Sequence, residues 1–378
     1  MASVDRLARF RALLQTQQIP LALVGDPFNV CYLTRYWTIL SGIPGTEQLL
    51  AAPAEGRPWL AVPGLEETMA RAQCPDLADI RYLRPGETLV HGDRRAAQTV
   101  PQLIRSALNS LPQGAAIGVD VSPLRTDRYR GLEESLGGRR VIDLAPHLSA
   151  MRASKDPDEV KLIREAAVIT AKAAAAIFHA LRPGTTENEL AAEAVRVIWA
   201  HGGTISHLVV ASGPRAAIPH ALPTDRSVAR GDFVVVDVGV FWSHYWAEIA
   251  RTFVVGPPAP EQARLLDLVQ QAQTAARNAL RPGIPARDVD EAARAVLRGA
   301  GFDDGVYIHS TGHGLGIMGP DAPAIAPHNT TPVPANATLT IEPGLYFPGS
   351  GGIRIEDSFC VSDGGVECLT EAYHALVR

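Results

Sequence analysis

Four acids set into apolar, alternating sequence are suited to holding positive charge, and they come in two pairs. The stretch GDFVVVDVGVFWSHYWAEIARTFVVG carries Asp237 and Glu248, and ATLTIEPGLYFPGSGGIRIEDSFCV carries Glu342 and Glu356. Both read as β-hairpins, the first turning near Phe241 to His244 and the second through Pro348 to Gly352. With the turns at those midpoints, Asp237 lies across the ladder from Glu248, and Glu342 across from Glu356. Like charges directly opposite on a sheet are destabilising, and a carboxylate among Val and Ile is costly to bury uncompensated. Arg354, two residues before Glu356 and so on the same strand face, brings one positive charge to four negative ones. Two divalent metal ions balance the set, and paired ions held by carboxylates are a hydrolytic device.

Between the two hairpins runs HSTGHGLGIMGPDAP, with His309 and His313 among Gly312, Gly314 and Gly316. That is too rich in glycine for a helix interior and suits backbone passing close to a site. One imidazole added to an oxygen-rich set favours manganese, cobalt or zinc over calcium or a thiolate-bound structural zinc.

The elements that must position these residues are organised as a repeat. ALRPG occurs at 180–184 and again at 279–283, an offset of 99 at which Ala194 matches Ala293, Val197 matches Val296 and Gly202 matches Gly301. Each copy reads as an Ala-rich helix ending in Arg-Pro-Gly, a second helix beginning near Thr185 or Ile284, a glycine, then β-rich sequence containing one acidic hairpin. The pattern predicts a duplicated α+β half whose hairpins meet at a pseudo-twofold axis. Before it, residues from about 20 to 148 alternate short apolar strands (LALVG, WLAVPG, IGVDV, RVIDL) with helical patterns, a mixed α/β unit. A long helix opens in LSAMRASKDPDEVKLIREAA, with Pro157 in its first turn and Asp156, Asp158 and Glu159 at its N-terminal end. The expected units are therefore 1–149 and 150–378.

Composition bounds the rest. With 378 residues, 46% hydrophobic and 20% charged, the chain can bury the core of two domains. A net charge of −5 without a basic run argues against nucleic acid as a partner. The N-terminus reads as a charged amphipathic helix, and no window nears ~18 uninterrupted apolar residues, so no membrane association and a cytoplasmic location are expected. Cys31, Cys74, Cys360 and Cys368 have no CxxC spacing, which argues against a structural zinc and gives no support to a disulfide scaffold.

In order along the chain, RASKDPDEVKLIREAA, VVVDVGV, EIARTF, HSTGHGLG, TIEPGLY and GGIRIED resemble the C-terminal domain of the metallopeptidases that include prolidase, proline-specific aminopeptidase and methionine aminopeptidase. That domain has the duplicated pita-bread fold. The N-terminal part resembles the domain found in prolidase, aminopeptidase P and creatinase. The resemblance implies that Asp237, Glu248, His313, Glu342 and Glu356 hold two metal ions, with manganese favoured and cobalt or zinc as alternatives. It also implies that His220, in RAAIPHALPTDR, and His309 lie at the substrate, and that Arg354 stands beside the last ligand. A short peptide cleaved before proline, Glu342 as proton shuttle, and a homodimer follow from the same resemblance.

Two departures from the family pattern stand out. Glu248 replaces a usual Asp, and Pro320-Asp321 replaces a His-Glu pair seven residues after His313. A proline ring has no proton to donate to a carbonyl oxygen, and loss of one such donor can cost ~100-fold in turnover. The activity expected is therefore Xaa-Pro hydrolysis, reduced or altered. The rivals are a metal-free C–N hydrolase of the creatinase type and a binding protein without turnover.

Overall fold

Alternation along two long strands sets the plan of the second half of the molecule. The computed structural model describes residues 5–41, 43, 47–83, 98–120 and 134–377, and within it the chain divides into two compact units, Met1–Ser149 and Ala150–Arg378.

The first unit is built on a six-stranded mixed sheet. Its strands are β1 (Leu21–Val24), β2 (Leu49–Pro53), β3 (Trp59–Pro63), β4 (Asp79–Leu83), β5 (Ile117–Val119) and β6 (Val141–Asp143), in the spatial order β4-β3-β2-β1-β5-β6. β2 runs antiparallel to β1 and β3, while β3–β4, β1–β5 and β5–β6 are parallel. Leu21, Leu23, Ala51, Ala61, Leu103, Ile104 and Val119 pack together as its core.

In the second unit, β7 (Thr204–Ser212), β8 (Phe233–Trp242) and β9 (Tyr245–Val254) form an antiparallel sheet. Val234, Val236, Val238 and Val240 turn toward the helices Pro157–Ala180 and Glu187–Ala200, in one core with Ala171, Ala174, Ile177 and Leu190. Small alanines on the helix let the backbone approach the β-branched face closely. Period-two alternation then sends Asp237 and Gly239 to the opposite face. The helix starts where expected: Pro157 occupies the first turn, and Glu159 Oε2 accepts a hydrogen bond from the Asp156 N–H at 2.9 Å.

The second copy repeats the plan with different strand lengths. Helices Pro260–Ala279 and Ala286–Gly299 pack through Leu268, Val269, Ala272 and Val289 on Leu339, Ile341, Phe359 and Val361. The strands here are β10 (Gly312–Leu315), β11 (Pro320–Ile325), β12 (Ala337–Ile341), β13 (Gly344–Phe347), β14 (Gly351–Arg354), β15 (Asp357–Ser362) and β16 (Gly365–Cys368). β12, β15 and β16 continue a sheet begun by β11 and β10, while β13 and β14 form a separate ribbon. Corresponding details recur in the two copies. Gly184 and Gly283 both have positive φ (92° and 81°), and their N–H groups donate to the carbonyls of Val228 and Val333.

The halves are joined along one seam. Glu356 donates its N–H to the Ala250 carbonyl at 2.9 Å, and Thr252 and Ser358 extend the pairing through their hydroxyls to Arg354 and Glu248 backbone atoms.

Candidate metal centre

Both predicted hairpins form; the first differs from expectation in register, and the second keeps the expected register but its ladder is interrupted at the two acids. Asp237 lies opposite Ala250, and Glu248 opposite Gly239. The cause is the turn, a two-residue Ser243-His244 connection with φ of 48° and 73°. Its midpoint is one residue later than that implied by pairing the two acids, which moves each cross-strand partner by two. The acids keep a common face and become diagonal neighbours, which relieves their direct opposition.

In the second hairpin, Ile341 pairs with Asp357 and Gly344 with Arg354, so Glu342 and Glu356 fall in the gap between two ladders of the same register. The expected direct pairing is absent because their N–H groups are used elsewhere, Glu342 on Thr311 and Glu356 on Ala250. This break in the ladder lets Glu356 reach the first hairpin.

Asp237 is held by two protein cations or donors. Arg354 approaches Oδ2 at 2.5 Å, and His207 Nε2 lies 2.9 Å from Oδ1. Burial by itself raises this carboxyl's pKa, but Arg354 and His207 outweigh it and hold Asp237 well below the usual carboxylate range. For Glu248 and Glu356, Arg354 offsets only part of the cost. Burial, followed by repulsion from neighbouring acids, pushes both well above the ordinary glutamate value. Glu248 Oε1 and Glu356 Oε2 are buried without a hydrogen-bond partner. Orphaned carboxylate oxygens in a mostly buried set are costly in themselves, and they are the donors a divalent cation takes. The residues fit a metal.

His313, on β10, faces the same space. Its Nε2 lies 3.3 Å from Glu248 Oε1 and 3.6 Å from Glu342 Oε1. Nδ1 lies 3.2 Å from the Gly314 carbonyl, which assigns the proton to Nδ1 and leaves the Nε2 lone pair toward the acids. The glycines around it are close-packed, since a Cβ on Gly312 would sit 2.1 Å from the Thr340 carbonyl oxygen.

His309 lies beside this group and is bonded at both ring nitrogens. Nδ1 is 2.8 Å from the Ser310 carbonyl and Nε2 is 2.9 Å from the Tyr346 hydroxyl, which in turn accepts from Arg354 at 3.0 Å. Burial lowers the pKa of this imidazole and keeps it neutral. A direct hydrogen bond from His309 to a substrate requires one of those bonds to open. His220 is exposed, in the turn after the short helix Gly213–Ala217, and the carbonyl of its neighbour Pro219 accepts from Arg354 at 3.0 Å. Pro320 is exposed at the start of β11. Asp321 turns inward to Arg152 (2.5 Å) and Lys155 (2.9 Å), so it is committed to an ion-pair cluster.

Sequence reading missed three members of the site: His207, Trp246 and Tyr346. Trp246 stacks on His313 at 5.3 Å between centroids and meets His207 edge-on at 5.9 Å. The available signal was a lone glycine, Gly239, in a valine-rich strand whose neighbouring strand carries a histidine.

Residues 161–363 match the metallopeptidase family M24, and residues 6–154 match the creatinase/prolidase N-terminal domain. The chain is 35% identical over 229 residues to an Xaa-Pro dipeptidase of Pyrococcus furiosus, covering 60% of this chain and 66% of that protein, just under two thirds of its length. It is 32% identical over 354 residues to the probable dipeptidase PepE of Mycobacterium tuberculosis, covering 93% of this chain and 89% of the relative. Among solved structures, a prolidase from Thermococcus sibiricus is similar with a TM-score of 0.84 and 29% identity, covering 98% of this chain and 97% of the other. No helix among the described residues is long and apolar enough to cross a membrane. A duplicated α+β unit, buried acids converging from two hairpins, and matches over both units lead to one assignment: the chain belongs to the metallopeptidase family M24, with the pita-bread fold and a creatinase-like N-terminal domain.

Proposed function

We propose that this chain is a divalent-metal-dependent peptidase that hydrolyses the bond before proline in short peptides, as an Xaa-Pro dipeptidase or aminopeptidase. The carrying observation is the pair of buried carboxylate oxygens without partners, Glu248 Oε1 and Glu356 Oε2, within a set of acids and histidines. The substrate class rests on relatives named Xaa-Pro dipeptidase.

Asp237, Glu248, His313, Glu342 and Glu356 would hold two ions, manganese in preference to cobalt or zinc. When bound, such ions supply a Lewis acid and an activated water. Glu342, whose side chain is 16% exposed, has the access needed to take a proton from the attacking water and return it to the leaving nitrogen. Arg354 fixes Asp237 and, through Pro219, the turn carrying His220, which holds the substrate. His309 acts on the substrate side through Tyr346, whose hydroxyl it orients. A cytoplasmic homodimer acting on short peptides completes the reading.

The test is hydrolysis of Xaa-Pro dipeptides, longer Xaa-Pro peptides and creatine-like amides by stripped protein and by protein reloaded with manganese, cobalt or zinc. Turnover of an Xaa-Pro substrate that depends on metal is the expected result. Metal-independent cleavage of the creatine-like amide would assign the creatinase-type reaction instead, and metal uptake with no turnover would assign a binding role. Pro320 favours reduced or narrowed turnover, because its ring offers no donor to a carbonyl oxygen gaining charge. Pro320→His is expected to raise turnover.

A further inference from the structure

We propose that His207 is a metal ligand in this chain, sharing an ion with Asp237 and Glu248, so that the centre takes one imidazole from each half of the duplicated unit. The inference rests on the metal-centre reading above and adds a nitrogen donor to it.

Backbone geometry builds the position. Ile205 pairs with Val240 and His207 with Gly239, so one extra residue, Ser206, bulges from β7. Bulges re-aim the side chains that follow them and occur beside active sites. The ring of His207 lies over Gly239, where a Cβ would stand 2.4 Å from His207 Cε1 and 2.5 Å from Nδ1. Glycine is therefore required opposite the imidazole, and Trp246 closes the pocket edge-on.

The donors converge. His207 Nε2 is 2.9 Å from Asp237 Oδ1 and 3.6 Å from Glu248 Oε2, and one ligand atom from each residue lies within 4.8 Å of the other two. Among the described residues this is the group of His, Cys, Asp and Glu close enough to share one ion without rearrangement. Independently, the 3%-exposed Glu248 directs Oε1, an oxygen with no hydrogen-bond partner, toward His313 on its other side. Glu248 thus stands between two imidazoles, with Asp237 and His207 on one flank and Glu342 and His313 on the other, and would offer an oxygen to a metal on either side. The extra methylene of glutamate lengthens the reach of that carboxylate, and His207 would offer a further donor on the Asp237 flank.

The competing role is a protonated His207 that acts only as counter-ion to Asp237. That role competes with a metal, whereas ligation requires one. Purified full-length protein is loaded with cobalt(II), and coordinated imidazoles are counted by X-ray absorption. We expect two imidazoles per chain in the unmodified protein and one in His207→Ala. His207→Ala should also weaken binding of one ion by ~10-fold or more and change the visible cobalt spectrum. Gly239→Ala, which keeps the histidine but fills its hollow, should shift the spectrum in the same direction. A count of one imidazole in the unmodified protein overturns the inference without requiring a folded variant. So does tighter or unchanged cobalt binding in His207→Ala. Absence of any cobalt uptake would instead overturn the metal-centre reading itself.

Discussion

The two halves of the duplicated unit solve the same burial problem with different sheets. In the first, β8 and β9 pair without interruption over ten residues each, and the acid Asp237 is neutralised from within the protein by Arg354 and His207. In the second, the ladder stops at Glu342 and Glu356, and Glu356 turns its backbone to the first hairpin. The intact ladder presents Asp237 to protein partners, while Glu248 on the same ladder keeps one oxygen without a hydrogen-bond partner. A broken one frees backbone groups to join the halves and leaves its buried acid without them. Elsewhere the halves agree: Glu187 accepts from the N–H and hydroxyl of Ser212, as Asp290 does from Thr311, and the two hydroxyl residues are themselves 99 positions apart.

The sharpest way to break this comparison is to remove the acid with no protein partner. Glu356→Ala should weaken manganese binding by roughly 100-fold or more, beyond the range seen when only supporting residues are lost. Calorimetry and elemental analysis read this directly, and undiminished uptake would show that the broken hairpin is not a ligand source.

The compensated acid gives an effect of similar size, read as stability. Arg354→Met leaves Asp237, which is 6% exposed, with His207 alone, and should cost about 3–5 kcal/mol in urea denaturation of metal-free protein. Manganese should restore part of that loss by giving Asp237 another cation. Equal losses with and without metal would remove the link between the two halves.

The acids without partners also set a pH dependence. Glu248 and Glu356 have folded pKa values raised well above the usual glutamate value by burial and then by neighbouring acids. They are protonated at low pH and must ionise to ligate, so affinity should rise with pH up to those raised values, on the order of tenfold per pH unit for each proton released. Calorimetry in buffers of different ionisation enthalpy counts the protons. Affinity that falls as pH rises would contradict the sign.

The smallest expected effect concerns the shared latch. Glu187→Gln and Asp290→Asn should each cost about 1–3 kcal/mol, since each leaves buried donors with a weaker partner. Each acid serves more than its latch, Glu187 holding Thr224 and Arg215 and Asp290 holding the more buried Arg294, so losses of similar size are expected. Thermal denaturation of the two variants side by side distinguishes matched latches from an accidental likeness.

Fold class was legible because period-two valine runs, Ala-rich helices and the ALRPG repeat all carry the same instruction. Register was less so. Ser243-His244 is not a glycine turn, and a one-residue difference in its midpoint moves each cross-strand pairing by two positions. His207 was hidden for a related reason, since no residue type marks the bulge at Ser206 that turns it inward. The gap at Glu342 and Glu356 depends on N–H partners far away in sequence, Thr311 and Ala250, which hairpin pattern alone does not contain. Asp321 read as half of an altered functional pair, but its partners Arg152 and Lys155 lie 169 and 166 residues away.

That ion-pair cluster bears on how the family's usual pair could return. A Cβ on Gly316 would fall 1.8 Å from Asp321 Oδ2, so glycine is required where the acid is kept. Replacing Asp321 by a neutral residue removes a buried carboxylate from both Arg152 and Lys155, and replacing either of those takes one cation from the acid. Gly316, Asp321, Arg152 and Lys155 thus form one packing and charge unit, and the exposed Pro320 stands outside it. A glutamate at 321 keeps the charge but must fit one more methylene beside Gly316 and the two cations, whereas a histidine at the exposed position 320 meets no such constraint.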